Sequence, residues 1–348
     1  MPISKMQSAD RVDFETSLTL ADIHQLSVNS NLRTLQCCSE VQLETWDLIN
    51  NELLTRRPDI NLRLYGFYSS ICDLSFVTRL KNVRHFSADC LRRAVNVESM
   101  AALPNLESLS IGVFELESLD FLAEIPSGIT SLSLGATKSK KPRLNHLMRF
   151  RSLKKLFLEA QQAGIEVLSD LTMLEDLRLR SISTRGLDYL LDLNRLWHLV
   201  IELGGIRDLS AIQGKKNIKY LELRQIRGLR DISVISSLSN LQSLFLHSLR
   251  NVIEIPDLSR LTRLRRLCLE NMKALTSVGA ILRSPSLREF IHVSARNMKP
   301  EQYVDLPRIK TLKEVLVGFG SRRKNQEFEK LMRLSGIEQF QSSRFVFE

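Results

Sequence analysis

Aromatic residues, paired cysteines and long apolar runs are all scarce in this sequence of 348 residues. Phe, Trp and Tyr make up only 6% of the chain, so a core drawn from its 43% of hydrophobic residues has to be mainly aliphatic. No uncharged apolar stretch approaches the roughly 20 residues that cross a bilayer. The polar opening stretch also lacks the apolar segment of a secretory signal. We therefore expect a cytoplasmic protein without a membrane anchor.

The cysteines do not form a recognisable framework. There are five of them, Cys37, Cys38, Cys72, Cys90 and Cys268, an odd number without C-x-x-C spacing. This pattern argues against a disulfide scaffold or a zinc site and indicates reduced, mostly buried thiols. The motifs H-E-x-x-H and G-x-S-x-G and a phosphate-binding glycine loop are also missing. We therefore expect no metal, no cofactor and no enzymatic activity.

The sequence is rich instead in one repeated pattern, L-x-x-L-x-L. Eight close copies begin at Leu106, Ile129, Leu153, Leu174, Leu196, Ile218, Leu241 and Leu264. Looser copies begin at Val83, Leu287 and Leu312. Successive copies are 21 to 25 residues apart throughout. A register kept over eleven copies indicates a structural repeat.

Each repeat has two halves with different periodicities. The x-L-x-L half alternates between apolar and variable residues, which predicts a short strand with its leucines on one side. The second half, as in RDISVISSLSNL from Arg230, has the wider apolar spacing of a helical turn. Its Asp-Ile-Ser or Asp-Leu-Ser step offers a side chain that can cap such a turn. Stacked units would form a parallel sheet over a linear core of leucines.

This pattern resembles that of leucine-rich repeat proteins, in the short form with units of about 22 to 23 residues. The resemblance covers residues 83–317 and implies an α/β fold. That fold is a curved solenoid with a parallel β-sheet on its concave face and short helices or turns on its convex face. The family usually places Asn or Cys three positions after the last strand leucine. This asparagine ladder is missing, and the equivalent positions are Phe114, Thr137, Gln161, Ile182, Gly204, Ile226, Leu249 and Met272.

The regions that flank the repeats predict caps. Residues 1–58 are expected to form an N-terminal capping region with a first irregular repeat, and residues 59–319 the leucine-rich repeats. Residues 320–348 are expected to form a C-terminal cap. There RRKNQEFEKLMRLSG predicts an amphipathic helix, and RFVFE, residues 344–348, is a candidate strand. Such caps cover the apolar ends that an uncovered solenoid exposes.

The resemblance implies that the non-leucine strand positions are displayed on the concave face. Aromatic and arginine side chains there are the types that anchor macromolecular interfaces. The candidate partner-binding residues are Phe157, Arg178, Arg180, Trp197, His198, Tyr220, Arg224, Phe245, His247, Arg265 and Arg266. The alternative is that these residues only cover the sheet, with the charges pairing between strands. The resemblance thus implies a non-catalytic interaction module: a scaffold, an inhibitor, an adaptor, or an effector or immune-related recognition protein.

The positive charge of the chain is concentrated in its second part. Residues 215–348 carry 25 Lys and Arg against 13 Asp and Glu, whereas residues 1–214 carry 24 against 26. This excess favours a protein partner with an acidic surface. The alternative is binding of nucleic acid or another polyanion through the basic C-terminal half, to which KSKKPR at residues 138–143 could add. Acidic residues on the same strands and the few aromatics available for base stacking argue against nucleic acid.

Three histidines fall on strand positions that bear on these alternatives. His198 and His247 are expected on one face with Tyr220 between them, which would keep them apart. His292 falls on an inward leucine position and is therefore expected to be a core histidine.

Overall fold

In the computed structural model the chain divides into two compact units, Met1–Leu174 and Glu175–Glu348. The structure describes residues 3–8, 10–67, 70–139, 142–333, 335–341 and 344–348, with side chains from residue 10 onward. The two central lysines of KSKKPR, residues 140–141, lie outside this range. Each unit alternates short strands with brief helical turns, as the two halves of the repeat predict.

The first unit contains one main sheet in which all neighbours are parallel except the first pair. Its strand order is β1-β2-β3-β4-β6-β8-β9-β10, with β1 antiparallel to β2, and β5 pairs with β7 separately. The strands are β1 Ile3–Ser8, β2 Arg11–Phe14, β3 Thr34–Cys37, β4 Asn61–Tyr65, β5 Cys72–Asp73, β6 His85–Leu91, β7 Ala94–Val95, β8 Ser108–Val113, β9 Ser131–Leu134 and β10 Lys155–Glu159. Its 3₁₀ turns are Ser75–Arg79, Val97–Ala102, Asp120–Ala123, Asn145–Arg149 and Ile165–Asp170.

Two α-helices lie among the first strands of this unit. Helix α1, Leu20–Val28, begins with a capping box in which Thr19 and Asp22 satisfy each other's backbone N–H groups. Helix α2, Leu43–Leu48, continues into a π-helical turn, Ile49–Leu53. Strands β2 and β3 already belong to the parallel sheet.

The second unit forms a parallel sheet in strict chain order, β11 to β18. The strands are β11 Asp176–Ile182, β12 His198–Gly204, β13 Tyr220–Ile226, β14 Ser243–His247, β15 Arg266–Glu270, β16 Glu289–Val293, β17 Glu314–Val317 and β18 Glu338–Gln339. Its 3₁₀ turns are Asp188–Leu190, Ser210–Ile212, Ser233–Ser237, Gly279–Arg283, Pro300–Tyr303 and Leu306–Arg308. Helix α3, Arg322–Arg333, follows the last full repeat.

The leucines of successive repeats form ladders beneath this sheet. Leu199, Leu221, Leu244 and Leu267 are in direct register on neighbouring strands. All four are completely buried. Burial of one such side chain stabilises a fold by roughly 1.5–3 kcal/mol. The core is therefore a line of aliphatic contacts between neighbouring repeats, as expected from the scarcity of aromatics.

The structure also shows what replaces the asparagine ladder. At the end of most strands of the second unit, or directly after it, one residue adopts a left-handed conformation, with φ between 51° and 57°. These residues are Ser181, Leu203, Gln225, Ser248, Asn271 and Ser294. The next residue turns inward and, as at Ile182, Ile226, Leu249 and Met272, is at most 1% exposed. Hydrophobic burial therefore holds these turns where the family commonly uses asparagine hydrogen bonds.

Gly204 is the exception in this series because its backbone approaches the preceding repeat too closely for a side chain. Its φ is +134°, and a Cβ atom there would lie 2.1 Å from the carbonyl oxygen of Ile182. That separation is far inside van der Waals contact, so only glycine fits this position.

The Asp-x-Ser steps cap the 3₁₀ turns as predicted. The carboxylates of Asp208 and Asp231 each accept a hydrogen bond of 2.8 Å from the backbone N–H two residues later, at Ser210 and Ser233. These hydrogen bonds lower the pKa of both carboxyl groups. Capping satisfies N–H groups that a short turn leaves without a partner.

The cysteine prediction is only partly confirmed. All five thiols are free, and Cys37 and Cys72 are buried, but Cys38 and Cys268 are partly exposed and Cys90 is exposed. Cys90, which is exposed, adopts a left-handed conformation near the end of β6, with φ of 53°. Among the helices that the structure describes, none is long and apolar enough to cross a membrane.

The candidate strand at residues 344–348 was predicted wrongly. The sheet ends instead with the two-residue strand β18, which pairs with β17. Residues Arg344–Glu348 form no strand because side chains from other repeats, rather than a neighbouring strand's backbone, bind their carbonyl and N–H groups.

Candidate functional site

The side of strands β11–β17 that faces away from the leucine core forms a continuous set of outward positions, here called the outer sheet surface. Ten of the eleven candidate residues belong to this second unit. Eight project from its strands: Arg178, Arg180, His198, Tyr220, Arg224, Phe245, His247 and Arg266. Trp197 and Arg265 occupy the position directly before strands β12 and β15.

Arg178 and Arg180 are held by one carboxylate on the next strand. Glu202 Oε1 accepts hydrogen bonds from Arg178 Nε at 2.9 Å and from an Arg180 guanidinium nitrogen at 3.3 Å. The Glu202 side chain is only 5% exposed, whereas the two arginines keep 47% and 37% of their surface. The pair of arginines therefore neutralises a buried carboxylate.

A second polar group lies around Arg224 in the middle of the surface. The Tyr220 hydroxyl donates to Glu222 Oε2 at 2.5 Å, and Arg224 lies 3.2 Å from Glu222 Oε1. Arg224 also donates through Nε to His247 Nδ1 at 3.2 Å and lies over the Phe245 ring at 5.5 Å. Burial, reinforced by the Glu222 carboxylate, raises the pKa of Tyr220, so its hydroxyl remains a donor at neutral pH.

Trp197, His198 and Tyr220 form an aromatic cluster at the edge of the surface. The His198 and Tyr220 rings stack with centroids 4.5 Å apart, and Trp197 meets His198 edge-on at 5.4 Å. His198 Nδ1 lies 2.8 Å from the carboxylate of Asp176, which fixes the imidazole ring. As predicted, Tyr220 lies between His198 and the strand that carries His247.

Residues Arg344–Glu348, here called the docked segment, lie against this cluster. The ring of Phe347 meets Trp197 edge-on with centroids 5.3 Å apart and Tyr220 at 6.1 Å. Edge-to-face contacts of this kind add to the energy of apolar burial. Two of the predicted anchors are thus already occupied by the chain itself.

The second aromatic ring of the docked segment is held by two further predicted anchors. The guanidinium carbon of Arg265 lies 5.2 Å from the centre of the Phe345 ring, and that of Arg266 lies 5.0 Å from it. Both distances are within the range of a cation–π interaction. Arg266 also pairs with the carboxylate of Glu289 and contacts the Phe340 ring.

Polar side chains bind the backbone of the docked segment. Gln242, 1% exposed, donates through Nε2 to the Glu348 carbonyl at 2.8 Å and accepts from the Glu348 N–H through Oε1 at 2.9 Å. Lys219 Nζ donates to the same carbonyl at 2.6 Å. Arg265 donates to the Val346 carbonyl at 2.9 Å and pairs with the Glu348 carboxylate at 2.5 Å.

Lys219 and Gln242 were not among the predicted site residues. They occupy the same position of the repeat as Trp197 and Arg265, directly before the strand. The four residues are 22 or 23 positions apart, so the repeat spacing itself contained the signal that would have found them. Lysine and glutamine differ in this respect from the aromatic and arginine residues that typically anchor interfaces.

Phe157, the remaining candidate, belongs to the first unit. It is partly buried on strand β10 and lines a shallow groove with Ser110, Ser133 and Asp89. Within the first unit this groove is shaped by small side chains, since Phe157 is in register with Ser133 on β9.

The outer sheet surface carries side chains of the types that bind macromolecules. Burial raises the pKa of Cys268 to about 12, so this thiol stays protonated at neutral pH and is a poor nucleophile. Within the described residues, no group of three or more His, Cys, Asp or Glu side chains is arranged to hold a metal ion. Rings, guanidinium groups and an amide arranged along an extended segment are suited to hold a peptide.

Comparisons with known proteins agree with this architecture. A family profile of R13L1/DRL21 leucine-rich repeats matches residues 205–272. No curated protein sequence is significantly similar to the chain. Among solved structures, an internalin (InlF) from Listeria monocytogenes is 20% identical with a TM-score of 0.53, over 81% of this chain and 86% of that one.

Two further similar structures are complexes of longer chains. A TLR13–ssRNA13 complex is 19% identical with a TM-score of 0.58, covering 89% of this chain and 47% of that one. The Toll–Spatzle complex of Drosophila is 14% identical with a TM-score of 0.53, covering 90% and 50%. The chain therefore spans about half the length of the chains in these two structures.

The repeat period, the parallel strands in chain order and these matches together define the class. The chain is a leucine-rich repeat protein with the α/β solenoid architecture of that family.

Proposed function

We propose that this protein is a non-catalytic recognition module that binds a protein partner on the outer sheet surface of its second unit. The observation that carries the proposal is a group of four side chains that already holds an extended peptide segment. These side chains are Trp197, Tyr220, Arg265 and Arg266. Aromatic and arginine side chains in partly buried positions are the usual hot spots of protein interfaces.

The pairing of charges on this surface favours a protein over a polyphosphate partner. Glu202 pairs with both Arg178 and Arg180, and Glu222 pairs with Arg224. Glu289 pairs with Arg266. A strand of phosphates would have to displace these carboxylates or lie beside them, which costs favourable interactions. A partner segment that combines rings with one carboxylate fits the same surface without that cost.

Binding of nucleic acid or another polyanion through the basic half is the alternative function. It is favoured by the excess of 25 basic over 13 acidic residues in 215–348. The similar TLR13 structure is a complex with RNA, while the Toll structure is a complex with Spatzle, so proteins of this fold bind either kind of macromolecule. The experiment below separates the two alternatives.

Affinity capture from the native cell tests the proposal. The baits are the wild-type chain and a Phe345→Ala/Phe347→Ala chain, each with and without Trp197→Ala/Tyr220→Ala. We expect the wild-type chain or the Phe345→Ala/Phe347→Ala chain to recover a protein. That protein should no longer be recovered when the same chain also carries Trp197→Ala/Tyr220→Ala. Phe114→Ala, which removes a half-exposed ring of the first unit, is the matched control and should recover the same protein.

Two results of this capture would contradict the proposal. One is recovery of the same proteins with and without Trp197 and Tyr220, provided that circular dichroism shows all baits to be folded. The other is bound material that consists only of nucleic acid and is released by nuclease, which would favour the polyanion alternative.

A further inference from the structure

The docked segment occupies the surface that the proposed function assigns to a partner, and it does so as a peptide ligand would. Its side chains alternate: Phe345 and Phe347 are partly buried against the sheet, whereas Arg344 is exposed and Val346 is 75% exposed. Alternation with a period of two means an extended backbone that presents every second side chain to the surface. The segment thus contacts the surface through two rings that are separated by one residue.

The surface recognises three features of the segment by separate means. The Phe347 ring packs edge-on against Trp197 and Tyr220. The Phe345 ring makes cation–π contacts with the guanidinium groups of Arg265 and Arg266. The acidic side chain after the second ring pairs with Arg265 at 2.5 Å. The Glu348 side chain is 71% exposed, and solvent weakens an ion pair that is exposed to this degree. The rings therefore contribute more to binding than the charge does.

The backbone contacts do not depend on the sequence of the ligand. Gln242 both donates to and accepts from the backbone of one residue, Glu348, and Lys219 donates to the same carbonyl. With the segment in place Gln242 is 1% exposed, and its Oε1 also accepts a hydrogen bond from Arg265 at 2.9 Å. Arg265 thus orients the amide so that it can both donate to and accept from a peptide backbone.

From this arrangement we propose that the partner of the outer sheet surface is an extended protein segment with two aromatic residues separated by one residue and followed by an acidic residue. The docked segment is an internal copy of that ligand and competes with it. This inference rests on the proposed function, because it names the partner chemistry of the same surface. It also explains why one surface carries both rings and unevenly distributed positive charge.

Competition gives the inference a measurable consequence. A segment of the same chain that is docked for about 90 to 99% of the time raises the apparent Kd of an outside ligand about 10- to 100-fold. Substitution of both rings of the docked segment should remove this effect while leaving the surface intact. The substitutions lie outside every strand and helix, so the fold should be retained.

The test uses a labelled peptide, RFVFE, blocked at both ends, with binding followed by fluorescence anisotropy. We expect it to bind the Phe345→Ala/Phe347→Ala chain at least tenfold more tightly than the wild-type chain. Arg265→Ala in the Phe345→Ala/Phe347→Ala background should weaken binding at least tenfold, whereas Arg250→Ala, an exposed arginine elsewhere on the second unit, should not. The peptides RAVAE and RVFFE, which lack the rings or their spacing, should bind at least tenfold more weakly than RFVFE.

Three results would overturn the inference: no binding of RFVFE to the Phe345→Ala/Phe347→Ala chain, equal binding to that chain and the wild type, or equal binding of RFVFE and RVFFE. Failure here is distinguishable from failure of the proposed function. If capture yields a partner but RFVFE does not bind, only the partner chemistry is wrong. If RFVFE binds as expected but capture yields no protein, the surface serves the chain's own segment and the proposed function is wrong.

Discussion

At the scale of single residues, His292 shows how a polar side chain is kept in an aliphatic core. It occupies an inward position of strand β16, where it is completely buried, and its Nδ1 lies 2.8 Å from the Tyr303 hydroxyl. Burial lowers the pKa of His292 to about 4 from its ordinary value of 6.5. Within the described residues Nε2 has no hydrogen-bond partner, so a proton added there would place an uncompensated charge in the core.

This burial predicts a loss of stability in mild acid. His292 binds a proton near pH 6.5 in the unfolded chain but only near pH 4 in the folded chain. Its contribution to stability is therefore complete above pH 6.5 and is lost as the pH falls toward 4. Between pH 7 and pH 5 the free energy of unfolding should fall by about 2 kcal/mol more for the wild type than for His292→Gln. Urea titrations at the two pH values measure this difference. His24→Gln, which changes an exposed histidine, should behave as the wild type, and an identical pH dependence of wild type and His292→Gln would contradict the assignment.

Also at this scale, one repeat position holds four different residues that all contact the docked segment. These residues are Trp197, Lys219, Gln242 and Arg265. The backbone at this position is the same in every repeat, since its N–H bonds to the corresponding carbonyl one repeat earlier, as Lys219 does to Trp197 and Arg265 to Gln242. The side chains are free to differ because none of them is needed for the leucine core. Residue identity here reflects what the surface binds.

At the scale of elements, helix α3 closes the last repeats of the second unit. Phe328 and Met332 are its buried residues, and Phe328 packs edge-on against Tyr303 and Phe319 with centroids 5.8 and 5.9 Å apart. The Asn325 carboxamide accepts the Phe319 N–H at 2.9 Å and so ties the helix to the preceding turn. The structure therefore has a helix where the sequence predicted one. The division into 1–58, 59–319 and 320–348 stays a prediction.

Removal of the Phe328 ring should uncover this end of the core. We expect Phe328→Ala to lower the free energy of unfolding by about 3 kcal/mol, because the contacts with Tyr303 and Phe319 are lost and a cavity remains. Leu331→Ala, at a position of the same helix with 38% exposure, should cost less than about 1 kcal/mol. Chemical denaturation of the three chains gives the comparison. Equal effects of the two substitutions would mean that α3 does not act as a cap.

At the scale of the whole molecule, the net charge of +10 sets how the chain meets other charged molecules. The excess lies in residues 215–348, yet much of the positive charge on the outer sheet surface is paired with neighbouring carboxylates. Charge of this kind speeds encounter with an acidic partner more than it strengthens the bound state.

Salt dependence should therefore separate the two kinds of ligand. Between 50 and 200 mM KCl we expect the affinity of RFVFE for the Phe345→Ala/Phe347→Ala chain to fall less than about threefold, because rings and an amide make most contacts. A single-stranded oligonucleotide that contacts several phosphates should lose orders of magnitude in affinity over the same range. Anisotropy titrations at both salt concentrations measure both. A steep decrease in the affinity for the peptide over this range would instead indicate an electrostatic site.

The sequence by itself determined the repeat, its strands and its core, because these depend on residues at most about 25 positions apart. An alternating leucine pattern places side chains on one side of a strand whatever the rest of the chain does. It also placed Trp197, Tyr220, Arg265 and Arg266 on the surface, since repeat position is enough for that, while their role in binding a partner stays a prediction.

Only the tertiary structure showed that residues 344–348 lie on that surface. The segment reads as a strand on its own, and its partners are remote in sequence: Lys219 is 129 positions from Glu348, and Gln242 is 106. No periodicity links such residues, because their contact depends on the path of the whole intervening chain. The repeat spacing places Gln242 at the same position as Trp197 and Arg265, but only the tertiary structure shows that its amide lies within hydrogen-bond distance of the Glu348 backbone.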